Sequence, residues 1–77
     1  MIKIIYFAVA REMVGKGEET LKVENLTVKQ LLEWIGSSYP AFDQTGMQVA
    51  INEEYAMLDD TVKAGDVCAI IPPVSGG

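Results

Sequence analysis

LTVKQLLEWIGSS, residues 26–38, is the stretch on which the fold turns. Thr27 and Gln30 stand three apart as a capping box, and Leu26 with Leu31 makes the flanking hydrophobic staple, so a helix should begin at Thr27. Val28, Leu31, Leu32 and Ile35 fall at i, i+3, i+4 and i+7, which draws one apolar stripe, while Lys29, Gln30 and Glu33 face water. The helix should end between Gly36 and Pro40, because the residue before a proline disfavours the helical region. A helix with one such stripe needs an apolar surface to lie on, and the segments on either side read as strands.

Upstream, residues 2–9, IKIIYFAV, are apolar, β-branched and aromatic, which predicts a central strand. GKGEE then supplies Gly15 and Gly17 for a turn, and TLKVEN alternates with Leu21 and Val23 on one face, so the first two strands read as a hairpin with a long loop. Downstream, MQVAI alternates as a strand, NEE turns the chain into a short stretch over residues 55–58, and DDTVKAGD reads as loop with a Gly65-Asp66 turn. VCAII is a second buried strand. The expected class is α+β, a mixed sheet of four to five strands with one main helix across it and the first and last strands side by side at its centre. No repeat or linker divides the chain, so residues 1–77 read as one domain with a flexible C-terminal tail at 72–77.

Composition narrows the function. A chain of 77 residues buries only about 60% of the surface its unfolded form exposes, so its few apolar residues go to one core rather than an enclosed cleft. The net charge of −5, from 11 acidic against 6 basic residues, opposes the basic footprint of nucleic-acid binding. A lone cysteine, Cys68, within an apolar run reads as a buried hydrophobe and fits a reducing cytoplasm. No apolar run approaches the ~20 residues that span a bilayer, so no membrane partner is expected. With no histidine, the usual general base and the commonest metal ligand are missing, and no metal is expected. The acid pairs Glu18-Glu19, Glu53-Glu54 and Asp59-Asp60 fall in expected turns and read as solvated. GKGEE lacks the Lys-Ser/Thr ending of a phosphate loop. Trp34 and Tyr39 read as partial core.

The remaining candidate is the end, AIIPPVSGG. Pro72 and Pro73 lack a backbone N–H, so they terminate the last strand and hold the chain extended. Val74, Ser75, Gly76 and Gly77 then reach roughly 13 Å, and the two glycines make a thread thin enough for a narrow tunnel in another protein. The Gly77 carboxylate becomes an electrophile once activated, for example by adenylation with ATP, and accepts sulfur or an amine. Chance also ends roughly one chain in 200 on two glycines, but a disposable end needs no Pro-Pro mounting on a central strand.

The strand-then-Arg-Glu segment YFAVAREMVG, the helix opening TVKQLLEWI and the closing AINEEYAMLDDTVKAGDVCAIIPPVSGG together resemble the small-subunit family of molybdopterin synthase, ubiquitin-like β-grasp sulfur carriers related to the carrier of thiazole synthesis. The likeness spans nearly the whole chain. It implies that Gly77 is adenylated by a ubiquitin-activating-type enzyme using ATP, charged as a thiocarboxylate from a sulfur donor protein, and threaded into the large subunit of a heterotetramer of two small and two large subunits. There it gives its sulfur to a cyclic pterin precursor, with no cofactor bound by the small subunit itself and the catalytic residues on the large one. In that arrangement Phe7, Arg11, Tyr55, Ile71 and Val74 gather near the tail as an apolar patch with Arg11 on its rim, although Phe7 and Ile71 serve equally well as core. Thiazole synthesis, lysine-linked protein modification and an inert interaction module remain the alternatives.

Overall fold

The computed structural model describes residues 1–73, so the expectations for Val74, Ser75, Gly76 and Gly77 lie outside the described residues. The elements run β1 (Ile2–Tyr6), α1 (Ala8–Val14), β2 (Glu18–Leu21), β3 (Asn25–Thr27), α2 (Val28–Ser38), β4 (Gln48–Ile51), β5 (Glu54–Ala56), β6 (Thr61–Lys63) and β7 (Val67–Ile71). Five strands form a mixed sheet in the order β2-β1-β7-β4-β5, and β3 pairs with β6 in a separate ribbon. The first and last strands do lie together at the centre, parallel, with Ile4 opposite Cys68 and Tyr6 opposite Ile70. Parallel neighbours need a crossover, and α2 lies within it, as the apolar stripe required. Ile2, Ile4, Tyr6, Val49, Cys68 and Ile70 from the sheet and Val28, Leu31, Leu32 and Ile35 from α2 form one buried cluster.

The start of α2 is built as its sequence predicts. The Thr27 hydroxyl accepts the Gln30 N–H at 3.1 Å, and the Gln30 side-chain oxygen accepts the Thr27 N–H at 2.9 Å. The Val28 and Lys29 N–H groups donate to the carbonyls of Asp60 and Leu58 at 2.9 and 3.0 Å, so the helix's opening donors are satisfied by the segment that leads into β6.

Several expectations are corrected. The first strand stops at Tyr6 rather than Val9, because AVAREMV carries a helical period: Ala10 and Val14 are buried one turn apart, and α1 occupies the expected hairpin loop. Ala8, at φ 45°, makes the break, and Gly15, at φ 88°, ends α1 by donating to the Arg11 carbonyl at 2.8 Å instead of forming a hairpin turn. Glu18 and Glu19 consequently open β2 rather than sit in a turn. DDTVKAGD is not all loop: Thr61–Lys63 pairs with β3, and Val62, opposite Leu26, is fully buried. The short stretch after the NEE turn is a strand only over Glu54–Ala56.

The far end of α2 is clasped to the sheet by one carboxylate. Glu19 accepts the Tyr6 hydroxyl at 2.5 Å and the Tyr39 hydroxyl at 2.8 Å, with the Lys16 ammonium 3.8 Å away. Tyr39 meets Tyr6 and Trp34 edge to face, at 6.4 and 6.3 Å between centroids, so both expected partial-core aromatics are used this way. Burial first, and then the Glu19 bond and charge, hold the Tyr6 phenol far above its ordinary range.

Two measurements check this account. Thr27→Ala should cost about 1 kcal/mol in urea unfolding, and Gln30→Ala made on top of it should add little, because the two bonds form one reciprocal box. At alkaline pH the unfolded chain releases protons from Cys68 near pH ~8.5 and from Tyr6 near pH ~10, while the folded chain holds the Cys68 proton up to about 11 and the Tyr6 proton beyond that. The unfolded state then binds fewer protons, so stability falls as pH rises. Tyr6→Phe should reduce that slope by about one proton above pH ~10 and leave it unchanged below. An unchanged slope above that pH would mean that Tyr6 ionises equally in the folded chain.

Candidate functional site

Alternation along the central strands gives the sheet a second face. Ile2, Ile4 and Tyr6 point into the core, so Lys3 and Ile5 point away from α2, and likewise Val67, Ala69 and Ile71 oppose Cys68 and Ile70. The register sets Ile5, Ala69, Ala50 and Tyr55 in one row across β1, β7, β4 and β5. The next row holds Phe7, Ile71 and Gln48, with Met57 just past the end of β5. Phe7 extends the β1–β7 pairing by donating its N–H to the Ile70 carbonyl at 3.2 Å, and Gln48 faces Ile71. Phe7 is 48% exposed, Tyr55 and Met57 are each 72% exposed, and Ile71 is half-buried.

Three of the residues singled out from the sequence therefore share one face. Phe7 and Ile71 lie outside the buried cluster, which resolves the choice between core and surface in favour of surface. Arg11 stands at the same end of the sheet, one helical turn beyond Phe7, with its guanidinium carbon 3.5 Å from where a Cβ on Gly17 would sit. Pro72 and Pro73 follow Ile71 directly, so the chain leaves the sheet from the row that holds Phe7. Sequence reasoning missed Ile5, Ala50, Ala69 and Met57. The strands are apolar on both faces, and only the pairing register sorts their residues.

The side chains of this face are mostly apolar, and the nearby polar groups have structural work. Lys3 pairs with Glu18 at 2.9 Å, an exposed pair. Asp60 accepts the Met57 N–H at 2.7 Å. Asp66 accepts the Lys63 N–H at 2.8 Å and the Asn52 amide at 3.0 Å, which hold its carboxyl below the usual range and build the turn into β7. Cys68 is fully buried on the opposite face, and burial, helped by Asp66, pushes its thiol up to about 11, so it is no thiolate nucleophile at neutral pH. Among the described residues no three His, Cys, Asp or Glu side chains could hold a metal ion, and no helix is long and apolar enough to cross a membrane. The arrangement is an open, largely apolar sheet face beside a chain exit.

Residues 4–77 match the model of the ThiS family, and the chain belongs to that family. A molybdopterin synthase sulfur carrier subunit of Chlamydomonas reinhardtii is 40% identical over 99% of this chain and 98% of its own length. A Pyrococcus furiosus structure described as a candidate molybdopterin converting factor subunit 1 superposes with a TM-score of 0.83 at 31% identity, covering 95% of this chain and 97% of that one. SAMP1 from Haloferax volcanii superposes at 0.81 with 30% identity, covering 99% and 98%. The fold is the ubiquitin-like β-grasp expected from the sequence.

The two faces of the sheet should respond differently to substitution. Phe7→Ser and Tyr55→Ser should each move the unfolding free energy by no more than about 0.5 kcal/mol, whereas Ile4→Ala should cost 2–5 kcal/mol, roughly the range for emptying a core site. Urea titrations of the three variants check this; a large loss in Phe7→Ser would return Phe7 to the core.

Proposed function

We propose that this ThiS-family chain is the sulfur carrier of molybdenum-cofactor assembly, with Gly77 as the loading point. The observation that carries the reading is its full-length likeness to molybdopterin synthase sulfur carrier subunits. A docking face that ends at a Pro-Pro chain exit supports it. The chemistry runs in three balanced steps. A Gly77 carboxylate oxygen attacks the α-phosphorus of ATP in an adenylating enzyme and pyrophosphate leaves. Hydrosulfide, or a donor persulfide later cleaved by a thiol, attacks the resulting carbonyl carbon and expels AMP, leaving a thiocarboxylate. In the large synthase subunit that sulfur attacks an electrophilic carbon of the pterin precursor and displaces an oxygen substituent from it, and water then cleaves the acyl–sulfur bond, returning the Gly77 carboxylate and leaving the sulfur on the pterin.

On this reading two loaded carriers are consumed for each dithiolene made, in keeping with a heterotetramer of two small and two large subunits. The open sheet face, with Phe7, Tyr55 and Ile71 and with Arg11 at its end, docks the large subunit, while Pro72 to Gly76 lead the carboxylate into it. Reacting groups other than Gly77 belong to the partners. The cytoplasm supplies ATP and a reducing setting for the thiocarboxylate.

A second reading is favoured by the likeness to SAMP1 of Haloferax volcanii, a small archaeal modifier protein. An activated Gly77 would then acylate lysine amines.

Intact-protein mass spectrometry after incubation with the adenylating enzyme, ATP and sulfide separates these outcomes. One terminal oxygen should be replaced by sulfur, and appending one alanine after Gly77 should abolish the change while leaving the unfolding curve intact. Lysine-linked adducts without thiocarboxylate would favour the modifier, and sulfur loading of the extended chain would remove Gly77 from the mechanism.

A further inference from the structure

The antiparallel pairing of β4 with β7 ends at Gln48 opposite Ile71. Carrying that register two residues further sets Gly46 opposite Pro73, and the two are in contact. A Cβ on Gly46 would lie 3.1 and 3.2 Å from the Cγ and Cβ of the Pro73 ring, closer than ordinary van der Waals contact. Gly46 also sits at φ 74°, in the left-handed region that a side chain resists. The turn that presents it is well braced. The Asp43 carboxylate accepts the Thr45 N–H at 2.9 Å, the Gln44 carbonyl accepts the Met47 N–H at 2.9 Å, and the Asp43 N–H points to the Met13 sulfur of α1 at 3.4 Å. Phe42, immediately before it, is buried in the core. This turn is thus tied to α1 and the core as well as to β4.

We propose that Gly46 is a positioning residue for the terminal-carboxylate chemistry: its bare α-carbon is the seat on which Pro73 rests, and it sets the direction in which the chain leaves the sheet. The inference rests on the carrier reading and adds a residue to it. When the open face is docked on a partner, the body and the exit are fixed together, so the exit must line up with the partner's channel. Relieving a 3.1 Å contact to ordinary distance moves Pro73 by about 0.4 Å. Taken over the ~3.8 Å between successive Cα atoms, that tilts the exit direction by about 6°, and a line drawn ~13 Å along the new direction ends about 1.4 Å from where the old one did. Misplacement of about 1 Å at a reacting centre is enough to cost roughly 10²-fold in rate.

Two full-length variants separate the seat from the turn. Asparagine tolerates the left-handed region but carries a Cβ toward Pro73, so Gly46→Asn keeps the turn and disturbs the seat. D-alanine at position 46, introduced by chemical ligation, accepts positive φ and places its methyl at the other α-substituent position. Pyrophosphate release with the adenylating enzyme should show kcat reduced at least about tenfold in Gly46→Asn with KM within about twofold, and near-normal kcat with D-alanine. Nuclear Overhauser contacts between residue 46 and the Pro73 ring should persist with D-alanine and weaken with asparagine. An asparagine variant as fast as the parent, or a D-alanine variant as slow as asparagine, overturns the seat while leaving the carrier reading intact. A parent chain that yields neither adenylate nor thiocarboxylate overturns the carrier reading, and with it the role given to Gly46.

Discussion

The parallel pairing of β1 with β7 is the constraint on which the rest of this molecule depends. It joins the two ends of the described chain at the centre of the sheet, in a register that places Ile4 beside Cys68 and Tyr6 beside Ile70. Two parallel strands cannot be joined by a hairpin, so the intervening chain must cross over, and the crossover delivers α2 to one face with its apolar stripe already matched to the strands. Because β7 is central, the chain that follows it departs from the middle of the sheet and not from an edge. The position of the exit next to Phe7 therefore follows from the strand order.

The same pairing divides the apolar residues of the central strands between two tasks. Ile2, Ile4 and Tyr6 go to the core, while Ile5 and Phe7 go to the open face. A short chain cannot bury both faces of its sheet, and nothing among the described residues covers the second one. What keeps this face at moderate apolarity is residue size: Ala50 and Ala69 occupy its middle, and the bulky Phe7, Tyr55 and Ile71 lie around them. An apolar surface that is shallow at its centre and ends at a chain exit suits docking better than enclosure of a small molecule.

The sequence was most readable where structure is local. The Thr27–Gln30 box and the α2 stripe need only neighbouring residues, and both are built as their spacing predicts. The central pairing was readable because β1 and β7 are the two most apolar segments. What failed was non-local. Val62 in TVK has no strand signal of its own and becomes β-structure only because Leu26 lies opposite it. The end of β1 was hidden by an apolar run that continues unbroken into α1, where the period changes from two to nearly four at Ala8 without a polar residue to mark it. At the site, Phe7, Tyr55 and Ile71 came from family resemblance, whereas Ile5, Ala50 and Ala69 are visible only once the register is known. Gly46 carries no signal in the sequence beyond being a glycine between α2 and β4, and only the distance to Pro73 gives it meaning.

The stability of the body bears on what such a chain can do. The Glu19 clasp fixes the C-terminal end of α2 to β1 at Tyr6, the residue before Phe7, and the capping box with the Asp60 and Leu58 carbonyls fixes the other end. Both ends of the helix are tied to the sheet or to its connections, so the open face has a rigid backing. Side-chain polar atoms buried without a partner are absent among the described residues, so the core carries no unpaired polar group that would loosen it. The strands of the body carry an open, largely apolar face and a chain exit in one fixed relation, so whatever holds the face also fixes where the chain leaves it.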